Sequence, residues 1–197
     1  LGVPPPEALD RPVGLDKGSL PLRVPSSRIH PTIDGRRGGF YKWVGAGACD
    51  FAQGSIHRQQ PIVTGVRFGY NEDTLFLRCE GFGPMHEFFE DDVWMRVVVS
   101  KPASWDFRVQ RIDGRITLAQ SDPNGDKIPI PGAQVAVEDV VELALPIRAL
   151  GGDARRFAIE FHLVLGTGGL ESERFPWDSV IGFDFDPDGF ELTSWFV

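Results

Sequence analysis

The chain has little cysteine and no long apolar run, and each of these scarcities argues against a class of protein. Two cysteines, Cys49 and Cys79, are too few for a disulfide scaffold or for the usual structural zinc sites. Two buried free thiols of a reducing compartment are the preferred interpretation, while the sequence leaves a single bridge open. No apolar stretch is long enough for a helical bilayer span, so no membrane partner is predicted.

Local motifs of common catalytic sites are also missing. We find no G-x-S-x-G elbow and no glycine-rich phosphate loop. The densest acidic cluster comprises Glu87, Glu90, Asp91 and Asp92. A solvated loop accounts for this cluster better than a pair of glycosidase carboxylates, which need a controlled separation and one raised pKa.

The charge balance and the N-terminus limit the partners and the location. A formal net charge of -8 repels phosphate backbones and disfavours a nucleic-acid partner. Residues 1–6 show no charged region followed by an apolar one, and the chain starts without Met. The missing Met predicts a fragment of a longer protein or a processed chain. The parent's compartment stays open, and the two free thiols favour the cytoplasm.

Glycine and proline are abundant, at 23 and 16 of 197 residues, which predicts many turns and few long helices. Strand-like runs cover 61–70, 75–80, 93–100, 105–120, 135–145, 157–165, 180–185 and 190–197. The pattern predicts an all-β fold, an antiparallel β-sandwich of two packed sheets with short connecting turns. Residues 31–197 form this domain, and residues 1–30 form a Pro/Gly-rich linker or a packed N-terminal arm.

The clearest local signal is Asp113-Gly114, a two-residue hairpin turn of the primed type. It predicts a register in which Val109 lies opposite Leu118 on a buried face. The middle of 135–145 fits either one helical turn or a continued strand. Residues 147–150 predict a single helical turn that ends at Gly151.

Two short motifs frame the strand-rich region. The opening is PTIDG at 31–35 followed by FYKWVGAG at 40–47, and the close is ELALPI at 142–147 followed by ERFPW at 173–177. With LFLR at 75–78, these motifs resemble the DOMON-like superfamily, which includes the family 9 carbohydrate-binding modules. Their combination is more specifically similar to the C-terminal domain of bacterial family 57 glycoside hydrolases. Lys42 departs from that pattern, because an acidic residue commonly precedes the tryptophan.

This resemblance, which runs from about Pro31 to the end, implies a non-catalytic accessory domain of an enzyme that acts on α-glucans such as starch and glycogen. The catalytic carboxylates of such enzymes lie in an N-terminal barrel that these residues do not contain. The implied partners are an α-glucan or oligosaccharide and the catalytic domain of the parent enzyme. The alternative is a structural domain that packs against that barrel without a ligand of its own.

A sugar-binding site needs exposed rings for stacking and polar side chains for the hydroxyl groups. The candidates with these properties are Tyr41, Trp105, Trp177, His57, Glu173 and Arg174. The alternative is that the tryptophans fill the core, as large aromatic residues often do. That alternative is favoured for Trp43 and Trp195, which occupy strand positions in apolar company.

Metal and haem sites are the remaining alternatives. Oxygen side chains alternate at Asp184, Asp186 and Asp188, and again at Asp122, Asn124 and Asp126, as in calcium loops. Neither loop has the Glu of an EF-hand, and turn chemistry is the better interpretation of both. Family 9 modules often carry structural calcium, so calcium stays open, and no other cofactor is expected. Axial haem ligands would have to come from Met85, His86, Met95 or His162.

Overall fold

The computed structural model describes residues 21–51, 61–90, 92–121, 127–152 and 156–190, and these form a β-sandwich of two antiparallel sheets. The sequence prediction of the fold class is therefore confirmed. The strands are β1 (Leu22–Arg23), β2 (Gly47–Asp50), β3 (Val63–Tyr70), β4 (Thr74–Gly81), β5 (Val93–Lys101), β6 (Trp105–Ile112), β7 (Arg115–Ser121), β8 (Lys127–Ile128), β9 (Gln134–Val137), β10 (Val141–Pro146), β11 (Phe157–Thr167), β12 (Leu170–Phe175) and β13 (Ile181–Phe185).

Short 3₁₀ helices connect some of the strands: η1 (Phe40–Trp43), η2 (Met85–Glu87) and η3 (Ile147–Leu150). Sheet A has the strand order β1-β2-β3-β4-β10-β9, and sheet B has the order β12-β11-β5-β6-β7-β8. Strand β13 also pairs with β11, on the edge that β12 occupies, so β12 and β13 lie end to end. Among the described residues, no helix is long and apolar enough to cross a membrane.

The core lies between the two sheets because the strands direct apolar residues toward the facing sheet. Along β11, the buried residues Ile159, Phe161 and Leu163 point inward, as the sequence pattern predicts. The rings of Phe68 in sheet A and Phe161 meet edge to face at 5.9 Å. The hydrophobic effect of this shared interior is what holds the two sheets together.

Three local predictions can be compared with the structure. The β6–β7 hairpin has the predicted register, with Val109 opposite Leu118 and Ile112 opposite Arg115. Residues 147–150 form the predicted single helical turn, which ends at Gly151 with φ +78°. The ambiguous run 135–145 is neither a helical turn nor one strand, because a bend at 138–140 divides it into the antiparallel pair β9 and β10. The predicted strand at 190–197 lies almost entirely outside the described residues.

A second apolar cluster lies on the outer face of sheet A. Ile29, Trp43 and Ala46 cover Phe76 of β4 and Ala144 of β10, and all five are buried. Trp43 is therefore a buried anchor, as predicted, but it packs outside the sheet and not between the sheets. The described part of the N-terminal arm packs with it, since Leu22–Arg23 pairs with β2.

Both cysteines are buried and unbridged, as the sequence analysis preferred. Cys49 on β2 and Cys79 on β4 both face Val66 of the intervening strand β3. Two strand spacings, roughly 9–10 Å, exceed the separation of about 7 Å that a disulfide spans. Burial raises the pKa of Cys49 to about 11 and that of Cys79 to about 12, so both thiols are protonated and unreactive near neutral pH.

The β6–β7 turn supplies a test of the local geometry. Gly114 has φ +75°, and a Cβ added there would meet no atom within 4 Å. Gly114→Ala should therefore cost about 1 kcal/mol of unfolding free energy, because the backbone conformation alone opposes a side chain. Gly169→Ala is the matched control, since it has the same open surroundings outside the left-handed region. Equal urea midpoints for the two variants would contradict the assigned turn.

Candidate functional site

The structure places the predicted aromatic residues on different parts of the molecule. Tyr41 lies on η1, over sheet A, and is 84% exposed. Trp177 is 62% exposed on the loop 176–180, which separates β12 from β13 at the edge of sheet B. Trp105 is half-buried and packs against the core. His57 lies outside the described residues.

The predicted polar partners are held by backbone groups. The Glu173 carboxylate accepts a hydrogen bond from the backbone N–H of Ile62 at 3.1 Å, and so links the edge of sheet B to the start of β3. The Arg174 guanidinium donates to the carbonyl oxygens of Pro176 at 3.3 Å and Ser179 at 3.1 Å. Arg174 therefore fastens the loop that carries Trp177.

Strand order keeps these candidates apart. Trp105 begins β6, and both β5 and β11 lie between β6 and the edge where Trp177 is found. Tyr41 belongs to the layer over the other sheet. Among the candidates that the structure describes, it brings together Arg174 and the Trp177 loop. Sugar binding by the six residues as one site stays a prediction.

The calcium candidates near the end of β13 face arginines. Arg156 lies 3.6 Å from carboxylate oxygens of both Asp184 and Asp186, and Arg28 lies 4.0 Å from Asp188. Across the described ranges, no group of three His, Cys, Asp or Glu side chains is placed to hold a metal ion. Residues 122–126, the other candidate loop, lie outside the described part of the chain.

The haem candidates do not converge either. Met85 and Met95 are fully buried in the core between the sheets. His162 alternates with the buried residues Phe161 and Leu163 of β11, so it lies on the outer face of sheet B. A methionine of the core and this histidine cannot ligate one haem iron from opposite faces of a sheet.

The opening motif and the ELALPI part of the closing motif meet at one buried carboxylate, Glu142 of β10. Its side chain is fully buried and accepts hydrogen bonds from the backbone N–H groups of Asp34 and Gly35, both at 3.0 Å. The Trp43 indole N–H donates to it at 3.1 Å, and the Lys42 ammonium lies 2.7 Å away. Four donors thus satisfy one buried charge, as burial of a carboxylate requires.

Two further contacts lock this network, here called the Glu142 network (Asp34, Gly35, Lys42, Trp43 and Glu142). Lys42 also donates to the Asp34 carboxylate at 2.6 Å, and this hydrogen bond lowers the pKa of Asp34. Gly35 has φ +73°, and a Cβ there would lie 2.7 Å from the backbone nitrogen of Glu138. The IDG motif is therefore a turn whose backbone N–H groups donate to the Glu142 carboxylate. Lys42, the residue before the tryptophan, pairs with the same carboxylate.

The outer face of sheet B carries a polar cluster that the sequence analysis did not identify as a site. The strand register aligns Arg174, Val164, Arg96 and Arg108 in one row across β12, β11, β5 and β6. The next row contains His162, Val98 and Asp106. We call Trp94, Arg96, Asp106, Arg108 and His162 the sheet B cluster.

Trp94 is the centre of the sheet B cluster. The guanidinium carbons of Arg96 and Arg108 lie 4.9 and 4.8 Å from its ring centroid. Its indole N–H donates to the carbonyl oxygen of Gly168 at 2.8 Å. A Cβ on Gly166 would lie 2.1 Å from the indole, so only glycine leaves room for the ring. These contacts make Trp94 a rigid, buried platform beneath two cations.

Burial and charge shift the acid–base behaviour of the cluster. Burial raises the pKa of Asp106, although its Oδ2 accepts from Arg96 at 2.9 Å. Burial and the nearby charges of Arg174 and Arg96 lower the pKa of His162 to about 4, so the imidazole is neutral at pH 7. Four polar atoms of the cluster are buried without a hydrogen-bond partner in the described structure: Arg96 Nε, Asp106 Oδ1, Arg108 Nε and His162 Nδ1.

The sequence contained a signal for this cluster. Once the Asp113-Gly114 turn sets the β6–β7 register, inward Phe107 and Val109 leave Arg108 on the outer face. The same alternation leaves Trp94 and Arg96 of β5 outward. What the sequence does not show is that β5 pairs with β6 in the register that places Arg96 opposite Arg108.

The Glu142 network should contribute far more to stability than an exposed ion pair. Glu142→Gln removes the charge that Lys42 needs, and we expect a loss of about 3–5 kcal/mol in unfolding free energy. Glu160→Gln is the control, because Glu160 pairs with Lys101 at 2.8 Å on the surface and should cost about 1 kcal/mol or less. Similar losses for both variants in urea unfolding would show that Glu142 is not the central partner.

His162 should make stability depend on pH. Its folded pKa is about 4 and its ordinary value is about 6.5, so the unfolded chain binds the proton first as pH falls. Stability should drop between about pH 6.5 and 4, and His162→Gln should remove that part of the slope. NMR titration gives the folded pKa directly. A midpoint near 6.5 would contradict the burial of the neutral ring.

Comparison with known proteins adds no relative to these observations. Neither a scan against models of protein families nor a search of curated proteins finds a match for the chain. Function is therefore inferred from the side chains described above and from the motif resemblance.

Proposed function

We propose that this chain is a non-catalytic, carbohydrate-binding accessory domain of an α-glucan-active glycoside hydrolase, and that sugar binds at the outer face of sheet B. The observation that carries the proposal is the exposed Trp177 indole on a loop fastened by Arg174. Arg174 lies in the same row of side chains as Arg96 and Arg108. An exposed ring therefore borders a polar sheet face.

The chemistry of this face suits a polyhydroxylated ligand. A pyranose ring stacks its C–H groups on an indole, while each hydroxyl group both donates and accepts hydrogen bonds. Asp106 Oδ1 is an acceptor and Arg108 Nε is a donor, and both are without partners in the described structure. A rigid scaffold with a few placed polar groups is typical of ligand sites.

The motif resemblance supports the accessory role and not the position of the ligand. Its parts at 31–35, 40–47 and 142–147 supply the Asp34, Trp43 and Glu142 contacts, which are buried or held within the layer over sheet A. Its last part, 173–177, contains Arg174 and Trp177 at the edge of sheet B. The ligand surface is therefore inferred from sheet B alone, and an enzymatic role is not proposed for this chain.

A structural domain that packs against the parent's catalytic domain is the second proposal. Exposed apolar side chains occur on the segments over sheet A: Leu22, Val24, Tyr41 and Val44. Such residues on one side of a domain are typical of a surface that another domain covers. In this proposal sheet A faces the catalytic domain, and sheet B needs no ligand. A cytoplasmic location accompanies either proposal, because two buried free thiols suit a reducing compartment.

Titration with maltohexaose and glycogen tests sugar binding. We expect millimolar binding by calorimetry or NMR, and at least a fivefold weaker affinity in Trp177→Ala, because stacking on the indole is lost. Phe82→Ala is the matched control, since Phe82 is exposed to a similar degree (57%) and lies on another loop. No response at millimolar glucan would reject the carbohydrate proposal in favour of the structural one.

A further inference from the structure

Two arginines lie directly opposite each other on the outer face of sheet B. Arg96 of β5 pairs in register with Arg108 of β6, and both guanidinium groups lie over the ring of Trp94. Like charges in directly opposed positions of a sheet destabilise it. The indole face offsets part of this repulsion, but one cation would serve that contact as well as two. The opposed pair therefore calls for a further explanation.

The carboxylates of this face pair with Arg96, and neither of them pairs with Arg108. Arg96 pairs with Asp106 at 2.9 Å and also with Glu171. In the described structure Arg108 forms no ion pair and no hydrogen bond, and its buried Nε has no partner. Arg174 adds a third cation to the row. Three arginines thus face two carboxylates, in a chain whose formal net charge is -8.

A cleft of about 370 Å³ opens beside Arg108. It lies between the β6–β7 turn at Asp113-Gly114 and the β11–β12 turn at Gly168, and Gln110 also lines it. Ligand pockets commonly measure about 300–1,000 Å³, so a monosaccharide unit is a reasonable occupant. Its oxygen-bearing walls, Asp92, Gln110 and Asp113, can pair with hydroxyl groups. Arg111 adds a second cation to the cleft beside Arg108.

We propose that Arg96 and Arg108 bind the oxyanion of an acidic saccharide, a phosphate monoester or a carboxylate, whose sugar ring occupies this cleft. The guanidinium fork matches such oxyanions geometrically, and one anion between the two arginines converts their repulsion into attraction. This inference deepens the proposed function and rests on it only for the sugar part of the ligand.

The experiment compares five probes by calorimetry or NMR: maltohexaose, glucose, glucose 6-phosphate, glucuronate and inorganic phosphate. Wild type should bind glucose 6-phosphate or glucuronate at least tenfold more tightly than glucose. The affinity should fall as salt rises from 50 to 500 mM, because the contact is between charges. The preferred probe of the two identifies the oxyanion as phosphate or carboxylate.

Arg108→Gln should remove at least tenfold of the affinity for the acidic sugars. Arg108→Lys keeps the positive charge but lacks the planar guanidinium group, so its affinity for the acidic sugars should lie between those of wild type and Arg108→Gln. Arg108→Lys also replaces Arg108→Gln in the test if the glutamine variant does not fold. Arg148→Gln, an exposed arginine on η3 that donates to Pro131, is the charge-matched control. Circular dichroism and thermal melting establish that each variant is folded.

The outcomes separate this inference from the proposed function. If maltohexaose binds and the acidic sugars bind no better than glucose, the oxyanion inference is wrong and the glucan proposal stands. If the acidic sugars bind through Arg108 and maltohexaose does not bind, the oxyanion site stands and the α-glucan proposal is wrong. If inorganic phosphate binds as tightly as glucose 6-phosphate, the sugar part of the inference is wrong. If no probe binds, both are wrong.

Discussion

A single buried carboxylate organises one side of this molecule. Glu142 is fully buried on β10, where an unpaired charge would be prohibitively costly, and its partners come from a segment more than ninety residues away. The Asp34-Gly35 turn, Lys42 and Trp43 can satisfy it only when that segment lies flat on sheet A. The polar requirement of one side chain therefore fixes the position of an entire layer, and Ile29 and Trp43 then complete an apolar seal over Phe76 and Ala144.

This arrangement makes the two outer faces of the sandwich different. Around Phe76 and Ala144, sheet A is covered by the segment around η1, which supplies the donors of the Glu142 network. Sheet B instead carries arginines, an aspartate and a neutral histidine around Trp94, with several polar atoms that have no partner in the described structure. A carboxylate with four donors belongs to the architecture of the fold, whereas incompletely paired polar groups are typical of surfaces that bind something.

The sheet B cluster contains three arrangements that lower the stability of the folded state. Arg96 opposes Arg108, burial opposes the charge on Asp106, and His162 stays neutral between cations. Trp94 makes the arrangement tolerable because its ring face attracts both guanidinium groups, and Gly166 makes room for that ring. The indole of Trp177, on a loop fastened by Arg174, extends the same side of the molecule toward solvent.

The fold class, the β6–β7 register, the helical turn at 147–150 and the inward residues of β11 follow from the amino-acid sequence, because side-chain alternation and turn chemistry are local properties. The burial of Trp43 was predictable too. The packing of the strands was needed to show that Trp43 lies outside sheet A, that Glu142 is the partner of the opening motif, and that Arg96 meets Arg108 over Trp94. These contacts depend on which strands pair and in which order, and alternation within one strand says which face a residue occupies but not what it meets there.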